Sequence, residues 1–582
     1  MNPLISPATT FEGTLLLTTP LLPVLMAIFF IIPAWRSKLL IIAPFTGLAG
    51  LLAALLVEPG ATLDLPWNLL GTRLGMDATA QTFLLFTALL WLLAGFFSYG
   101  YMAQYEHQPD FTAFYLLSMG GNFGLILSQD IVSFYLFFAL MSFASYALVI
   151  HNRDAFSIYA GRVYILLVIV GELMVFTAFI MISTQAGTIY LDGMSAWSSN
   201  SLSIGLLLLG FGIKAGALPL HFWLPLAHPA APVPASAVLS GAMIKAGLIG
   251  WLRFLPLGSY SLPEWGMLVI MSGLAAAFYG AFIGIGQSNP KTVLAYSSIS
   301  QMGLITIGVG IGLIEPNLWS VTLPAILLYA LHHGLAKGAL FLGVGISTAR
   351  LSGKARKWST TAMFLPALAL AGAPLTSGIL AKSALKATIP SLPNPWPGWL
   401  DSLLPLAAIG TTLLMARFLY LIWHQAPGKK PLQVSTLISW ILLVICVAFI
   451  AWTTPAAAEY SDYSLKLSTI WLAVWPIGIG LLIAFISVYI SVRRAGWRLI
   501  NIPPGDVLVL LEWTSKKISL PPISHISMVG DQIITYLGGA AHTSKSTQII
   551  FKIERRLADF TIIGVLLLLT ALVIFGLSLV TP

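Results

Sequence analysis

Apolar runs alternate with short polar breaks along almost the whole chain. A helix needs about 20 apolar residues to cross a bilayer. Runs of that order fall at 15–34, 38–57, 81–101, 111–129, 131–150, 159–183, 201–226, 234–256, 265–287, 293–314, 318–347, 361–386, 398–424, 434–452, 470–492 and 558–580. The pattern predicts an all-α polytopic membrane protein of about 16 transmembrane helices. The first run is too long for a cleavable signal peptide and has no basic residues before it. Residues 499–557 break the pattern. They are less apolar and carry the pairs Pro503–Pro504 and Pro521–Pro522. From Asp506 to Lys517 they read either as an amphipathic helix on the inner surface or as a solvated loop.

Composition narrows the functional classes. The chain has 582 residues, of which 58% are hydrophobic and 8% charged. A soluble chain carries about 25% charged residues. That excludes a soluble enzyme, a nucleic-acid binder and a disulfide-built secreted protein. Cys446 is the only cysteine, so an internal disulfide, a CxxC motif and a Cys-ligated iron–sulfur cluster are all excluded. The sequence has no Rossmann glycine pattern and no P-loop. No cofactor, no metal and no catalytic redox centre are therefore expected in this chain.

The net charge of +9 reports orientation. With the N-terminus outside, alternate loops should be basic. Arg36 and Lys38, Arg153 and Arg162, Lys291, the cluster Arg350, Lys354, Arg356 and Lys357, then Lys429 and Lys430, all fall on one side. Arg493, Arg494 and Arg498 follow, and the six basic residues from Lys516 to Arg556 join them. Only Arg73, Arg253 and Lys466 fall near the other side. An even span count returns the C-terminus to the outside.

Six basic residues remain inside predicted spans: Lys214, Lys245, Lys337, Lys382, Lys386 and Arg417. Lys386 and Arg417 lie near helix ends, where a long side chain snorkels. Lys214, Lys245 and Lys337 are too central for that. A charge at mid-bilayer costs at least ~2.5–3.5 kcal/mol, and such residues usually mark an ion path. Among the 20 Asp and Glu, only Glu172 is clearly mid-span. An ion pair with a buried lysine is expected, read either as a structural salt bridge or as part of the path. His332 and His333 lie mid-span. His333 and Lys337 share a helix face at spacing i, i+4, which suits proton transfer; hydrogen-bonded packing is the other reading. Metal binding has little support, since no carboxylate or cysteine is near in sequence.

Broken helices are tolerated in membranes where freed backbone groups meet water or protein. AGALPLHFWLPLAHPAAPVPAS, from Ala215 to Ser236, holds five prolines directly after Lys214, together with His221 and His228 as further candidates. LPALALAGAPLTSGILAKSALK holds Pro366 and Pro374 before Lys382. Two broken helices, each with a lysine, suggest a duplicated transport unit.

These segments also carry a resemblance. Gly210–Gly250, Ser288–Gly303 (SNPKTVLAYSSISQMG) and Leu331–Gly345 (LHHGLAKGALFLGVG) resemble the antiporter-like subunits of respiratory complex I, formate hydrogenlyase-type membrane hydrogenases and Mrp-type cation/proton antiporters. The HPAAP segment followed by a lysine is most similar to the hydrogenase and Mrp branches. The resemblance implies two inverted five-helix repeats, each with a broken helix, and a hydrated polar axis. On that basis the chain divides into N-terminal spans (1–110), a first repeat (111–256), a second repeat (257–424), two further spans (425–498), the surface segment (499–557) and a last span (558–582). It also implies that Lys214 and Lys382 are the broken-helix lysines, Lys245 a connecting lysine, and His333 with Lys337 the central linking pair. The chain departs from the family pattern at one place. Where the family has a glutamate, FFALMSFASY has Ala139. Glu172 in the next span is the candidate replacement.

The expected function is proton translocation by a subunit of a larger membrane complex, with protons entering from the inner side near Lys214 and Glu172 and leaving near Lys382. Energy has to come from partners, which the resemblance implies are further antiporter-like and small membrane subunits, with iron–sulfur or hydrogenase-like subunits in a redox-driven complex. The expected location is the bacterial inner membrane. Exchange of Na+ or another cation for protons, and a non-conducting anchor or coupling role motivated by Ala139, stay open at this point.

Overall fold

The computed structural model describes residues 6–192, 200–426, 428, 430–493, 503–505 and 508. The predicted surface helix, Leu508 apart, and the last span at 558–580 lie outside the described residues.

The described chain is almost entirely helical. The first helices are α1 (Thr10–Phe29), α2 (Arg36–Ile42) and α3 (Gly47–Leu56), then α4 (Ala78–Met102), α5 (Gln108–Leu127), α6 (Ile131–Val149) and α7 (Ala155–Ala186). A broken stretch follows: α8 (Ser201–Ala215), α9 (Trp223–Ala230), α10 (Val233–Val238), a π turn at Leu239–Met243, and α11 (Lys245–Phe254). Next come α12 (Pro263–Ile285), α13 (Pro290–Ile314), α14 (Trp319–Ser347) and α15 (Gly353–Ala362). A second broken pair, α16 (Phe364–Ala371) and α17 (Ser377–Ala387), precedes α18 (Trp396–His424), α19 (Val434–Phe449), α20 (Pro455–Ser464) and α21 (Leu467–Arg493).

Among the described residues, 12 helices are long and apolar enough to cross a membrane. The protein is an integral membrane protein. Three further predicted spans are occupied by helices that fall short of that test. One is α5, which Gln108, Asp110 and Asn122 make more polar; the other two are the broken pairs.

Local chemistry sets the helix ends. The carboxylates of Asp77, Asp130 and Asp154 accept from backbone N–H groups at the starts of α4, α6 and α7, each at 2.7 Å. Such caps satisfy donors that the helix itself leaves open. The two breaks are built alike. α8 and α16 both end on a glycine in the left-handed region, Gly216 at φ 72° and Gly372 at φ 90°.

Between helices, small residues set the spacing, as expected where there is no hydrophobic drive for helices to associate. A methyl on Gly273 of α12 would lie 2.6 Å from the Gly303 oxygen of α13, so the two backbones nearly touch. The α13 and α14 spans are wholly buried and form the centre, whereas α1 and α21 are mostly exposed at the periphery.

On the face opposite the basic loops, β1 (Ser6–Pro7), β2 (Ala61–Leu65) and β3 (Thr72–Gly75) form a small sheet. β1 runs parallel to β2, and β2 pairs antiparallel with β3, with Asp64 opposite Arg73. Period-2 apolar signal was too short there to register beside the helical runs. Arg73 bonds Asp64 at 2.5 Å and Asp192 at 3.0 Å and covers the Tyr190 ring. Arg253 pairs with Asp77. Two of the three exceptions to the charge alternation are thus matched by carboxylates.

Candidate functional site

The site grows from the first break. Lys214 lies in the last turn of α8 and is buried. Its Nζ donates to Ser142 Oγ at 3.1 Å and to Tyr164 OH at 2.9 Å. Tyr164 OH is in turn 2.6 Å from Ser145 Oγ. Glu172, on α7, lines the same small cavity with Ser142 and Lys214 and lies within electrostatic reach of the lysine. The expected ion pair is not closed as a direct contact. Lys214 spends its hydrogen bonds on hydroxyls, and among the described residues Glu172 Oε1 has no hydrogen-bond partner. Ala139 and Ser142 are one turn apart on α6, so that helix offers Lys214 a hydroxyl while α7 supplies the carboxylate.

The second lysine follows a widened turn. Ile244 N–H reaches back five residues to Leu239 O at 3.1 Å, a π turn of the kind that recurs at functional sites. Lys245 Nζ donates to Ser240 O at 2.7 Å. Ser240 Oγ meets Ser298 Oγ of α13 at 2.8 Å. The π turn packs directly on α14, since a methyl on Gly241 would come 2.8 Å from Gly334 O.

Gly334 directly follows His333. The His333 ring is buried, with no hydrogen-bond partner on either nitrogen among the described residues, and lies within electrostatic reach of Lys245, Lys337 and His332. One turn further, Lys337 Nζ donates to Leu294 O at 2.7 Å and to Ser297 Oγ. The neighbouring His332 meets Ser377 Oγ at 2.8 Å through Nδ1. Ser377 opens α17, the second half of the second broken helix.

On that half-helix, Lys382 Nζ turns back to Ala371 O at 2.6 Å. A cation at the carbonyl end of α16 is favourable there. Lys382 and Lys386 both line a cavity of about 100 Å³ against α18 and α21. Lys386 pairs with Asp401 at 3.4 Å. Arg417 Nε donates to Gln287 O at 3.1 Å rather than reaching along the helix to the surface. His221 packs edge-on to Tyr279 at 4.9 Å, and His228 stacks on Phe341 at 4.5 Å.

The fold therefore brings Lys214 with Glu172, Lys245 with His333 and Lys337, and His332 with the Lys382 half-helix. It leaves Lys386 and Arg417 at the edge. Sequence reasoning missed the hydroxyls of Ser142, Tyr164, Ser297 and Ser377, whose types are common and whose partners come from distant elements. It also read Lys291 as a loop residue. That lysine sits in the first turn of α13, and its Nζ reaches three backbone carbonyls; the proline before it starts the helix earlier than hydropathy indicates. Among the described residues, no group of three or more His, Cys, Asp or Glu could hold a metal ion.

The chemistry of this arrangement is specific. The central ammonium groups bond neutral oxygens: hydroxyls and carbonyls. An ammonium paired with a carboxylate strands a buried charge when it loses its proton. One held by neutral acceptors does not, so each lysine can give up and regain a proton.

Residues 128–390 match the family described as NADH:quinone oxidoreductase/Mrp antiporter, TM. Hydrogenase-4 component B of Escherichia coli (strain K12) is 31% identical over 344 residues, covering 54% of this chain and 51% of the relative. The Na(+)/H(+) antiporter subunit A1 of Staphylococcus haemolyticus is 30% identical over 333 residues, covering 53% and 41%. The chain spans about half the length of the curated relatives it matches, or less. Among solved structures, the Mrp complex from Dietzia sp. DQ12-45-1b aligns with 98% of this chain and 63% of its own, at TM-score 0.72 and 21% identity. An archaeal membrane-bound sulfane sulfur reductase complex aligns with 80% of this chain and 99% of its own, at TM-score 0.64 and 20% identity. These two likenesses establish the shared fold.

Proposed function

We propose that this chain, whose residues 128–390 form a transmembrane domain of the NADH:quinone oxidoreductase/Mrp antiporter family, moves protons through the membrane as one subunit of a multi-subunit complex. The path is the buried line Glu172, Lys214, Lys245, His333, Lys337 and Lys382. One observation carries this reading: Lys214, Lys245 and Lys337 are buried and bonded to neutral oxygens, and half-buried Lys382 is bonded to a carbonyl. Fixed structural cations in a bilayer would be matched by carboxylates, because the desolvation cost is otherwise unrelieved.

The driving step is electrostatic. Glu172 and Lys214 face each other across a small cavity without touching. A change in their separation, imposed by a neighbouring subunit, changes the attraction between them steeply in a low-dielectric site. That change alters how firmly Lys214 holds its proton, and the next lysine responds. Partner subunits supply the energy. The basic face is cytoplasmic in this reading, the membrane is a bacterial inner membrane, and both termini lie on its outer side.

The test is Glu172→Gln in the whole complex, reconstituted in vesicles. Coupled proton transport should fall by at least ~100-fold, the scale of losing a positioned proton-transfer group, while the subunit composition stays unchanged. Near-normal transport in that variant would refute the assignment.

A second reading is exchange of Na+ or another cation for protons, supported by relatives named as Na(+)/H(+) and K(+)/H(+) antiporter subunits. Its mark is a proton flux that requires an imposed Na+ or K+ gradient. Stoichiometric iron and acid-labile sulfide in the purified complex would instead point to redox drive.

A further inference from the structure

Where the proton joins the buried line is a separate question from what moves it. The cavity at Glu172 and Lys214 is small, about 10 Å³, and is walled by Phe138, Val168 and Ile213. That is space for about one water. On the basic face a cavity of about 220 Å³ lies between the two halves of the chain, with Asn152, Asn289, Thr348 and Gln425 in its lining. Lys291 lines it too. Its Nζ donates inward to the carbonyls of His228 at 3.1 Å, Pro229 at 3.4 Å and Ala231 at 2.5 Å. Sequence explains why those carbonyls are open. Pro232 has no N–H to offer His228 O, so Lys291 and Ser236 Oγ bond it instead.

Behind that collar is the His228 ring. It is fully buried, and among the described residues neither ring nitrogen has a hydrogen-bond partner. It stacks on Phe341, one helical turn beyond Lys337 on α14. Among the described residues its charged neighbours are Lys337, Lys291 and Lys245, with no carboxylate among them. An imidazole with two open nitrogens, placed between a cavity-lining lysine and the central pair, is suited to carry a proton from one to the other.

We infer that protons enter the line at its middle, from the basic face, through this cavity, Lys291 and His228, and so reach Lys337. Glu172 and Lys214 then act as the electrostatic gate and not as the entrance. The inference rests on the proton-transport reading above. In the step itself, the Lys291 ammonium gives its proton, through a water from the cavity, to one nitrogen of neutral His228. The imidazolium gives the proton on its other nitrogen to the Lys337 amine. Water in the cavity reloads Lys291, and a ring rotation restores the tautomer.

The experiment uses the whole complex in vesicles, with Thr348→Cys at the cavity on a Cys446→Ser background. A cationic, membrane-impermeant methanethiosulfonate is added to the basic face. Transport should be near normal before modification, fall at least ~10-fold after it, and return on reduction of the mixed disulfide. Leu70→Cys, exposed in the hairpin on the opposite face, should be modified without effect when the same reagent is added to that face. His228→Asn and His228→Phe should each cut transport at least ~10-fold in a complex of normal composition. Complete modification of Thr348→Cys, verified by mass, with an unchanged rate overturns the entrance. So does full transport in both His228 variants. If the unmodified complex moves no protons under any gradient or redox drive, the proton-transport reading fails and the entrance falls with it.

Discussion

Gly171 and Gly210 hold α7 and α8 in backbone contact beside the Glu172–Lys214 cavity. A methyl on Gly210 would lie 2.8 Å from Gly171 O and 2.7 Å from Val175 Cγ2. Glu172 adjoins one glycine in sequence, and Lys214 lies one turn beyond the other, so this contact fixes the distance across which the two charges act. Gly210→Ala should push the helices apart at a cost of about 1–3 kcal/mol and weaken the coupling. Proton transport should drop several-fold or more while the complex still assembles. Gly212→Ala, whose methyl would meet only ordinary contacts at 3.5 Å, should be tolerated. Equal transport in both variants would break the link between helix spacing and gating.

Lys337 tests whether the lysines exchange protons or only supply charge. Its ammonium sits against Leu294 O and Ser297 Oγ. Arginine keeps the charge but does not release its proton. Lys337→Arg should therefore assemble normally and lose proton transport by at least ~100-fold. Retained flux would mean that a fixed cation suffices there.

The Arg253–Asp77 pair ties α11 to the start of α4 on the face away from the basic loops. Burial pushes the Asp77 carboxyl up. The Arg253 charge and hydrogen bonds outweigh that and hold it below its ordinary 3.8. A carboxyl lowered on folding adds stability above its ordinary value and loses it as pH falls through the lower folded one. Arg253→Gln should cost about 1–3 kcal/mol at neutral pH. The gap in Tm from the native chain should narrow below about pH 4. A constant gap down to pH 3 would show that the pair contributes through packing alone.

His151, on the basic face, is buried edge-on against Phe111 at 5.3 Å. Burial, then His107 and Arg153, push its imidazole down from 6.5 to about 4. The folded state therefore holds His151 neutral where the unfolded chain would protonate it. Its contribution is complete above pH 6.5 and is lost progressively as pH falls toward 4. Thermal stability should decline over that window, and His151→Gln should flatten the decline by about 1–3 kcal/mol. An identical pH profile in the variant would exclude His151 as the source.

Much of this was legible along the chain. The bilayer allows only a few backbone solutions, so apolar run length places most spans, and basic loops alternate because charge is expensive to move across. Charge inside apolar runs is rare enough that Glu172, Lys214, Lys245 and Lys337 stand out by position, while the family resemblance singled out Lys382 and the pairing of His333 with Lys337. Proline and glycine beside Lys214 and Lys382 mark the breaks, because proline lacks the donor a helix requires and glycine accepts the left-handed cap.

Tertiary structure decided the partners. Ser142, Tyr164, Ser297 and Ser377 are ordinary residues until distant helices bring an ammonium or an imidazole against them. Lys291 reads as a loop charge until α9 ends on proline-opened carbonyls beside it. His228 gains its place only when Phe341 and Lys337 turn the same face of α14 toward it. The contact between Gly171 and Gly210 exists only as a distance between two helices. Hydropathy and charge are properties of one residue in one solvent and can be read locally. Hydrogen-bond acceptors, cavities and helix spacings are properties of pairs far apart in the chain, and packing alone fixes them.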